Sequence, residues 1–188
     1  MFDSLRQTLE TLCPLTDAEW AVFRSCLQEK IYAKNDSLLN AGHVCQGTWF
    51  INRGAIRSYT MKDGSDVHTN FSFETDYVTD YESLTKQQPS TLTIIALERA
   101  ETIYFGRNDL IDLYRRTPTL MQLGRTILEN VVIYQSQYAS LFTLYSSAER
   151  YDHLLRHHPQ IVQRVPVQYI ASYLGMARET LSRIRRKK

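Results

Sequence analysis

The chain has 188 residues, 43% apolar and 22% charged, with a formal net charge of +2. These values exclude intrinsic disorder, collagen-like repeats and low-complexity character, and no apolar run approaches the roughly 20 residues of a membrane-spanning helix. Three cysteines (Cys13, Cys26, Cys45), odd in number and without metal-type spacing, argue against a disulfide framework or a cysteine-held zinc or iron–sulfur centre and point to the cytoplasm.

The first thirty residues read as helices. Phe2, Leu5, Leu9 and Leu12 share one face in a segment too charged for a secretory signal. After Pro14, Thr16-Asp17-Ala18-Glu19 forms a capping box, and Trp20, Phe23 and Leu27 continue a second face. From Ile31 to Gly106 short β-branched and aromatic runs alternate with turn residues: "IYAK", "SLLN", "GTWFIN", "AIRSYTM", "DVHTNFSF", "LTIIALE" and "ETIYFG". Asp63-Gly64 between two alternating runs predicts a hairpin. So many short strands predict a sandwich or barrel rather than a parallel sheet. Between them, Asp76, Asp80 and Glu82 read as loop carboxylates.

Helices return after Gly106. Asn108 is expected to cap a short one through Tyr114, and Thr117-Pro118 to open a long one reaching about Tyr145. In it Val131, Tyr134, Tyr138, Leu141, Tyr145 and Ala148 recur at alternating spacings of three and four, a coiled-coil-like seam that a second copy of the chain can fill. Ser146-Ser147-Ala148-Glu149 caps the next helix, which Pro159 is expected to end near His157.

The last segment, "VPVQYIASYLGMARETLSRIRRKK", carries the functional signal. Val167, Ile170, Ala171 and Leu174 give a buried face, Gly175 a tight turn, and a second helix follows from Arg178 with Leu181 and Ile184 inward. That is a helix-turn-helix. Arg178, Glu179, Ser182 and Arg183 stand where a recognition helix reads bases: arginine donates twice to guanine, and glutamate accepts from cytosine. Arg185, Arg186, Lys187 and Lys188 can hold phosphates. Residues 147–188 hold nine Lys/Arg against three Asp/Glu, which leaves thirteen against seventeen in residues 1–146. An acidic body thus carries a basic end.

"ARETLSRI" resembles the recognition helix of the Crp/Fnr regulators. Arg178-Glu179-Thr180 and Arg183 are similar to the cyclic-AMP receptor branch, and Glu179, Ser182 and Arg183 to the fumarate–nitrate branch. "GTWFINRGAIRSYTMKDG" resembles the middle strands of the family's β-roll. The resemblance implies an α+β fold in three parts: N-terminal helices and a cyclic-nucleotide-binding-like β-roll, or jelly roll (1–116), a dimerisation helix (117–146) and a helix-turn-helix domain (147–188). It further implies a cytoplasmic, non-enzymatic homodimer on double-stranded DNA, with Glu179 and Arg183 reading TGA-type half-sites of an inverted repeat and RNA polymerase as a further candidate partner.

Two departures stand out. The sequence stops at Lys188, so the family's β-hairpin wing is not expected. Where cyclic-nucleotide binders carry Gly-Glu and then Arg-Ser or Arg-Thr, this chain has Asp80 and Glu82, then Ser90-Thr91. A phosphate pocket with carboxylates and no arginine is a poor anion site, so cyclic AMP is not expected as a cofactor. An unknown small-molecule effector remains open, with Asp80, Glu82, Ser90, Thr91, Tyr134 and Tyr138 as candidate pocket residues. No metal site is expected: His153, His157 and His158 read as a solvated or phosphate-facing cluster, and the β-region histidines, His43 and His68, lack metal spacing. Two other readings are a ligand-binding module whose C-terminal helices contact protein, and a β-barrel metalloenzyme.

Overall fold

The computed structural model describes residues 2–187; Lys188, one of the expected phosphate-binding residues, lies outside them. Two helices open the chain, α1 (Phe2–Glu10) and α2 (Asp17–Arg24). The expected capping box forms at α2: Thr16 Oγ1 accepts from the Glu19 N–H at 3.2 Å, and Glu19 accepts from the Thr16 N–H at 2.9 Å.

Eight strands follow in two four-stranded antiparallel sheets. One has the order β1 (Leu27–Tyr32), β8 (Ala100–Gly106), β3 (Gly47–Arg53), β6 (Tyr77–Val78). The other has the order β2 (Ser37–Leu39), β7 (Leu92–Ala96), β4 (Ile56–Lys62), β5 (Ser65–Ser72). Alternate residues of β3 serve opposite faces, as the pleat requires. Trp49 and Ile51 enter the core between the sheets with Ile56 and Ile94, while Phe50 packs outward with Leu5, Phe23 and Phe105 under α1 and α2. The Asp63-Gly64 hairpin forms, with φ of 51° and 74° at its two turn residues and Lys62 paired with Ser65.

The departures from the sequence reading are local. β6 and a short helix α3 (Tyr81–Lys86) occupy the stretch read as a carboxylate loop. β1 begins four residues before the expected Ile31. α4 (Arg107–Arg116) starts after Gly106, ahead of Asn108, and has no side-chain cap. Pro159 does not leave irregular chain behind it: it opens α7 (Pro159–Arg164), because proline fits the first helical turn.

α5 (Pro118–Leu144) is 27 residues long, about 40 Å at 1.5 Å per residue. Thr117 precedes it but makes no side-chain cap. The expected seam along α5 divides. Tyr134 and Tyr138 pack on their own chain's C-terminal helices and Leu141 is buried, whereas Leu128, Val131, Val132 and Ile133 are exposed. α6 (Ser147–His157) carries the expected Ser146–Glu149 capping box. α8 (Val167–Tyr173) and α9 (Arg178–Arg186) complete the chain. Their core is shared with the second sheet: Phe71, Phe73 and Leu97 pack with Tyr151, Ile170, Tyr173 and Leu181.

Candidate functional site

The link between α8 and α9 is fixed by one residue. Gly175 sits at φ +63°, the left-handed region that favours glycine. Its N–H donates to Ser172 O and that of Met176 to Ala171 O, both at 3.0 Å, the paired bonds of a Schellman helix end. Phe142 of α5 leaves little room for a side chain there: a Cβ on Gly175 would meet its ring at 3.1 Å. Arg150 of α6 reinforces the turn by donating to Leu174 O at 2.7 Å.

α9 turns Leu181 fully inward and leaves Arg178, Glu179, Arg183, Arg185, Arg186 and Lys187 exposed, with Ser182 half-buried. None of the ion pairs between described residues involves these charges. Arg183 and Lys187 stand one turn apart and, with Thr180 and Ile184, line a groove of about 320 Å³ against Ser146, Ser147 and Ala148 at the start of α6. The helix therefore presents a cationic face whose guanidinium groups have no ion-pair partner among the described residues, the arrangement an external anion can use.

α8 is docked on β5, the edge strand of its sheet. An edge strand carries unpaired N–H and C=O groups, and here Ser172 meets them. Its hydroxyl accepts from the His68 N–H at 3.1 Å and donates to Asp66 O at 2.9 Å. Tyr169, one turn earlier, stacks on the His68 ring with centroids 4.4 Å apart, and the Arg57 guanidinium lies over Tyr169 at 4.7 Å. Arg57 Nη1 is 3.0 Å from His68 Nε2 and 3.3 Å from Asp66 Oδ2. Arginine only donates, so Nε2 accepts and Nδ1 carries the proton. Burial foremost, then the Arg57 charge, pushes His68 down to about 4, so the ring is neutral near pH 7.

Two further contacts hold the C-terminal helices. Tyr138 of α5 donates to Tyr173 O at 2.8 Å, and the Tyr134 and Tyr173 hydroxyls are 3.1 Å apart. Arg164 of α7 grips Glu74 with bonds of 2.7 and 3.0 Å and also reaches Glu98. The Arg164 bond holds Glu74 at about 2, well below the usual carboxylate range.

The candidate pocket residues do not gather in one place. Asp80 is buried and caps α3: it accepts from the Ser83 N–H at 3.1 Å and from the Ser90 hydroxyl at 2.6 Å. Asp80 and Ser90 are thus spent on each other. Glu82 is exposed and pairs with Lys86 at 2.7 Å. Thr91 is exposed, and its carbonyl accepts from Thr60. Tyr138 lines a cleft of about 570 Å³ between β5, α5 and α8; the other five candidates do not. His68, Ser172 and Tyr173 of the same cleft escaped the sequence reading, since nothing in the sequence joins positions 68 and 172. The ring centroids of His153 and His157 are 4.4 Å apart, and among the described residues no group of three or more His, Cys, Asp or Glu is placed to hold a metal. No described helix is long and apolar enough to cross a membrane.

Residues 29–117 match the family model of the cyclic nucleotide-binding domain. No curated protein matches the chain. Among solved structures, the catabolite activator protein of Thermus thermophilus is similar at 18% identity over 96% of this chain and 85% of that one, with a TM-score of 0.60. FixK2 from Bradyrhizobium japonicum is similar at 17% identity over 86% and 83%, with a TM-score of 0.71. A structure described as a transcriptional regulator of the crp/fnr family, from Eubacterium rectale, is similar at 17% identity over 92% and 83%, with a TM-score of 0.70. The fold is accordingly that of the Crp/Fnr regulators, a cyclic-nucleotide-binding β-roll followed by a long helix.

Proposed function

We propose that this chain is a sequence-specific DNA-binding transcription regulator that acts as a homodimer on an inverted repeat in the cytoplasm. The observation that carries the reading is α9: an exposed helix with Arg178, Glu179 and Arg183 outward and no ion pair to another described residue, held by the Gly175 turn as the second helix of a helix-turn-helix. Arg185, Arg186 and Lys187 continue the cationic face past the base-reading positions, as phosphate contacts require. The division into a β-roll unit (1–116), a coupling helix (117–146) and a DNA-binding unit (147–188) belongs to the same reading. So does the second copy, which would cover the exposed apolar residues of α5 and set two recognition helices about 34 Å apart in successive major grooves.

The same reading expects no dependence on cyclic AMP. The place of the expected phosphate grip holds the Asp80 carboxylate, whose acceptors are filled by Ser83 and Ser90. A cyclic phosphate brought there would face the Asp80 carboxylate.

The test is selection of bound duplexes from a random pool at near-physiological salt, wild type beside the Glu179→Ala/Arg183→Ala double variant. An enriched inverted repeat with TGA-type half-sites, lost in the variant, supports the reading. Equal enrichment by both proteins, or none by either, overturns it. Each single substitution is expected to cost about 1–3 kcal/mol of specific binding.

A further inference from the structure

Three histidines, His153, His157 and His158, gather where α6 ends. His153 and His157 are one turn apart, the spacing that puts two side chains on one face of a helix. Their ring centroids lie 4.4 Å apart, with 38° between the planes. Two imidazoles bound side by side to one transition-metal ion, through metal–nitrogen bonds of about 2.1 Å, have ring centres about 4.5–5 Å apart. A small opening therefore lets the pair share an ion. His158 stands farther off, 6.4 Å from His153, and packs edge-on against Tyr134 of α5. Tyr145, at the end of α5, is the ring nearest His153 from that helix, at 6.3 Å.

The surroundings favour a cation between the two rings. His153 Nδ1 is buried and has no hydrogen-bond partner among the described residues, and such an atom is costly to leave unsatisfied. His157 is the last residue of α6, the end at which the helix dipole favours positive charge. Burial foremost, then the His157 and Arg156 charges, holds His153 below the usual histidine value, so near pH 7 it offers the neutral ring that a metal needs. His157 is exposed, which leaves a path from solvent. Among the described residues no third His, Cys, Asp or Glu is placed to close the shell, so the remaining positions fall to water.

We infer that His153 and His157 form a two-imidazole site for a late divalent transition-metal ion (Cu²⁺, Ni²⁺ or Zn²⁺), and that the bound ion staples the last turn of α6. Imidazole suits these ions, whereas Mg²⁺ and Ca²⁺ take oxygen ligands. The helix supplies the second ring at high local concentration once the first is bound, so the pair holds an ion far more tightly than either ring alone. An unfolded chain does not keep the two rings together. The ion therefore favours the folded helix and stabilises it. The inference stands apart from the DNA-binding reading, since neither histidine belongs to α8 or α9.

The experiment is calorimetric titration of the full, untagged chain with Ni²⁺ at neutral pH, with Mg²⁺ as the control ion. One Ni²⁺ per chain is expected to bind saturably, and Mg²⁺ is expected not to bind. His157→Gln, at an exposed position, should weaken Ni²⁺ binding about a hundredfold or more while the melting temperature of the metal-free chain stays the same. His153→Gln should weaken it as much. Ni²⁺ should raise the melting temperature of the wild type and not that of His157→Gln. In NMR spectra, diamagnetic Zn²⁺ should shift the imidazole signals of His153 and His157 and leave those of His43 in place. Absence of saturable Ni²⁺ binding, binding retained in His157→Gln, equal uptake of Mg²⁺, or Zn²⁺ shifts that miss the two rings overturns the inference.

Discussion

Ser172 and His68, 104 positions apart in the chain, are joined by a hydrogen bond of 3.1 Å from the His68 backbone N–H to the Ser172 hydroxyl. The same hydroxyl donates to Asp66 O, so one side chain of α8 does at the edge of the sheet what a neighbouring strand would do. The orientation of the C-terminal helices relative to the β-roll follows from this bridge and from the Tyr169–His68 stack beside it.

Ser172→Ala removes both bonds while keeping the helix. We expect a loss of about 1 kcal/mol, or about 2–4 °C in melting temperature for a chain of this size. Hydrogen exchange at the His68 amide should accelerate, because its acceptor is gone. Unchanged protection at His68 would mean that α8 is not what covers this edge.

Stability should fall with acid in two separate windows. His68 drops from 6.5 to about 4 on folding, so the unfolded chain binds its proton first and stability is lost as the pH falls from 6.5 to 4. This contribution is up to roughly 3 kcal/mol. His68→Phe should flatten that window, leaving a smaller slope from His153 and His158, whose pKa values burial also lowers. Glu74 is depressed to about 2, so its share is present above its ordinary value of 4.5 and disappears as the pH falls through 4.5 toward 2. Its side chain is 39% exposed, so solvent screening reduces that share to about 1 kcal/mol. Denaturant unfolding of the wild type, His68→Phe and Glu74→Gln across pH 2 to 8 separates the two.

The exposed stretch of α5 should be the dimer contact. Val132 is 67% exposed, so Val132→Glu is expected to leave the fold within about 0.5 kcal/mol while dissociating the dimer in sedimentation analysis. Tyr138→Phe should behave in the opposite way, lowering the melting temperature through the lost bond to Tyr173 O and leaving the association state unchanged.

Gly175→Ala forces a side chain into a positive-φ position 3.1 Å from Phe142. We expect a cost above about 1 kcal/mol, read by calorimetry, with a matching loss of DNA affinity as α9 is displaced. Gly64→Ala is the control: its φ is similar at +74°, but nothing lies within 4 Å of the added carbon, so it carries the backbone cost alone.

The parts legible in the sequence are those written by local chemistry. The two capping boxes, the Asp63-Gly64 hairpin, the Pro118 helix start and the Gly175 turn each depend on residues within a few positions of one another. Alternation and helical spacing then assigned most strands and the inward Leu181 of α9. The short elements β6 and α3 escaped because two strand residues and a six-residue helix carry too little periodicity to stand out, and their order comes from Asp80, Ser83 and Ser90 meeting in the folded chain.

The seam on α5 shows where local information stops. The sequence by itself determined that this helix is long, starts at Pro118 and carries an apolar seam from Val131 onward, and that a basic helix follows a glycine turn near the C-terminus. Which stripe of α5 is covered by its own chain was decided by α8, which takes Tyr134 and Tyr138 and leaves Leu128 to Ile133 uncovered. The cleft, the neutral His68 and the pairing of Asp80 with Ser90 were decided in the same way. Burial, desolvation and the filling of an edge strand's free groups are properties of surfaces brought together, and only the tertiary structure says which surfaces meet.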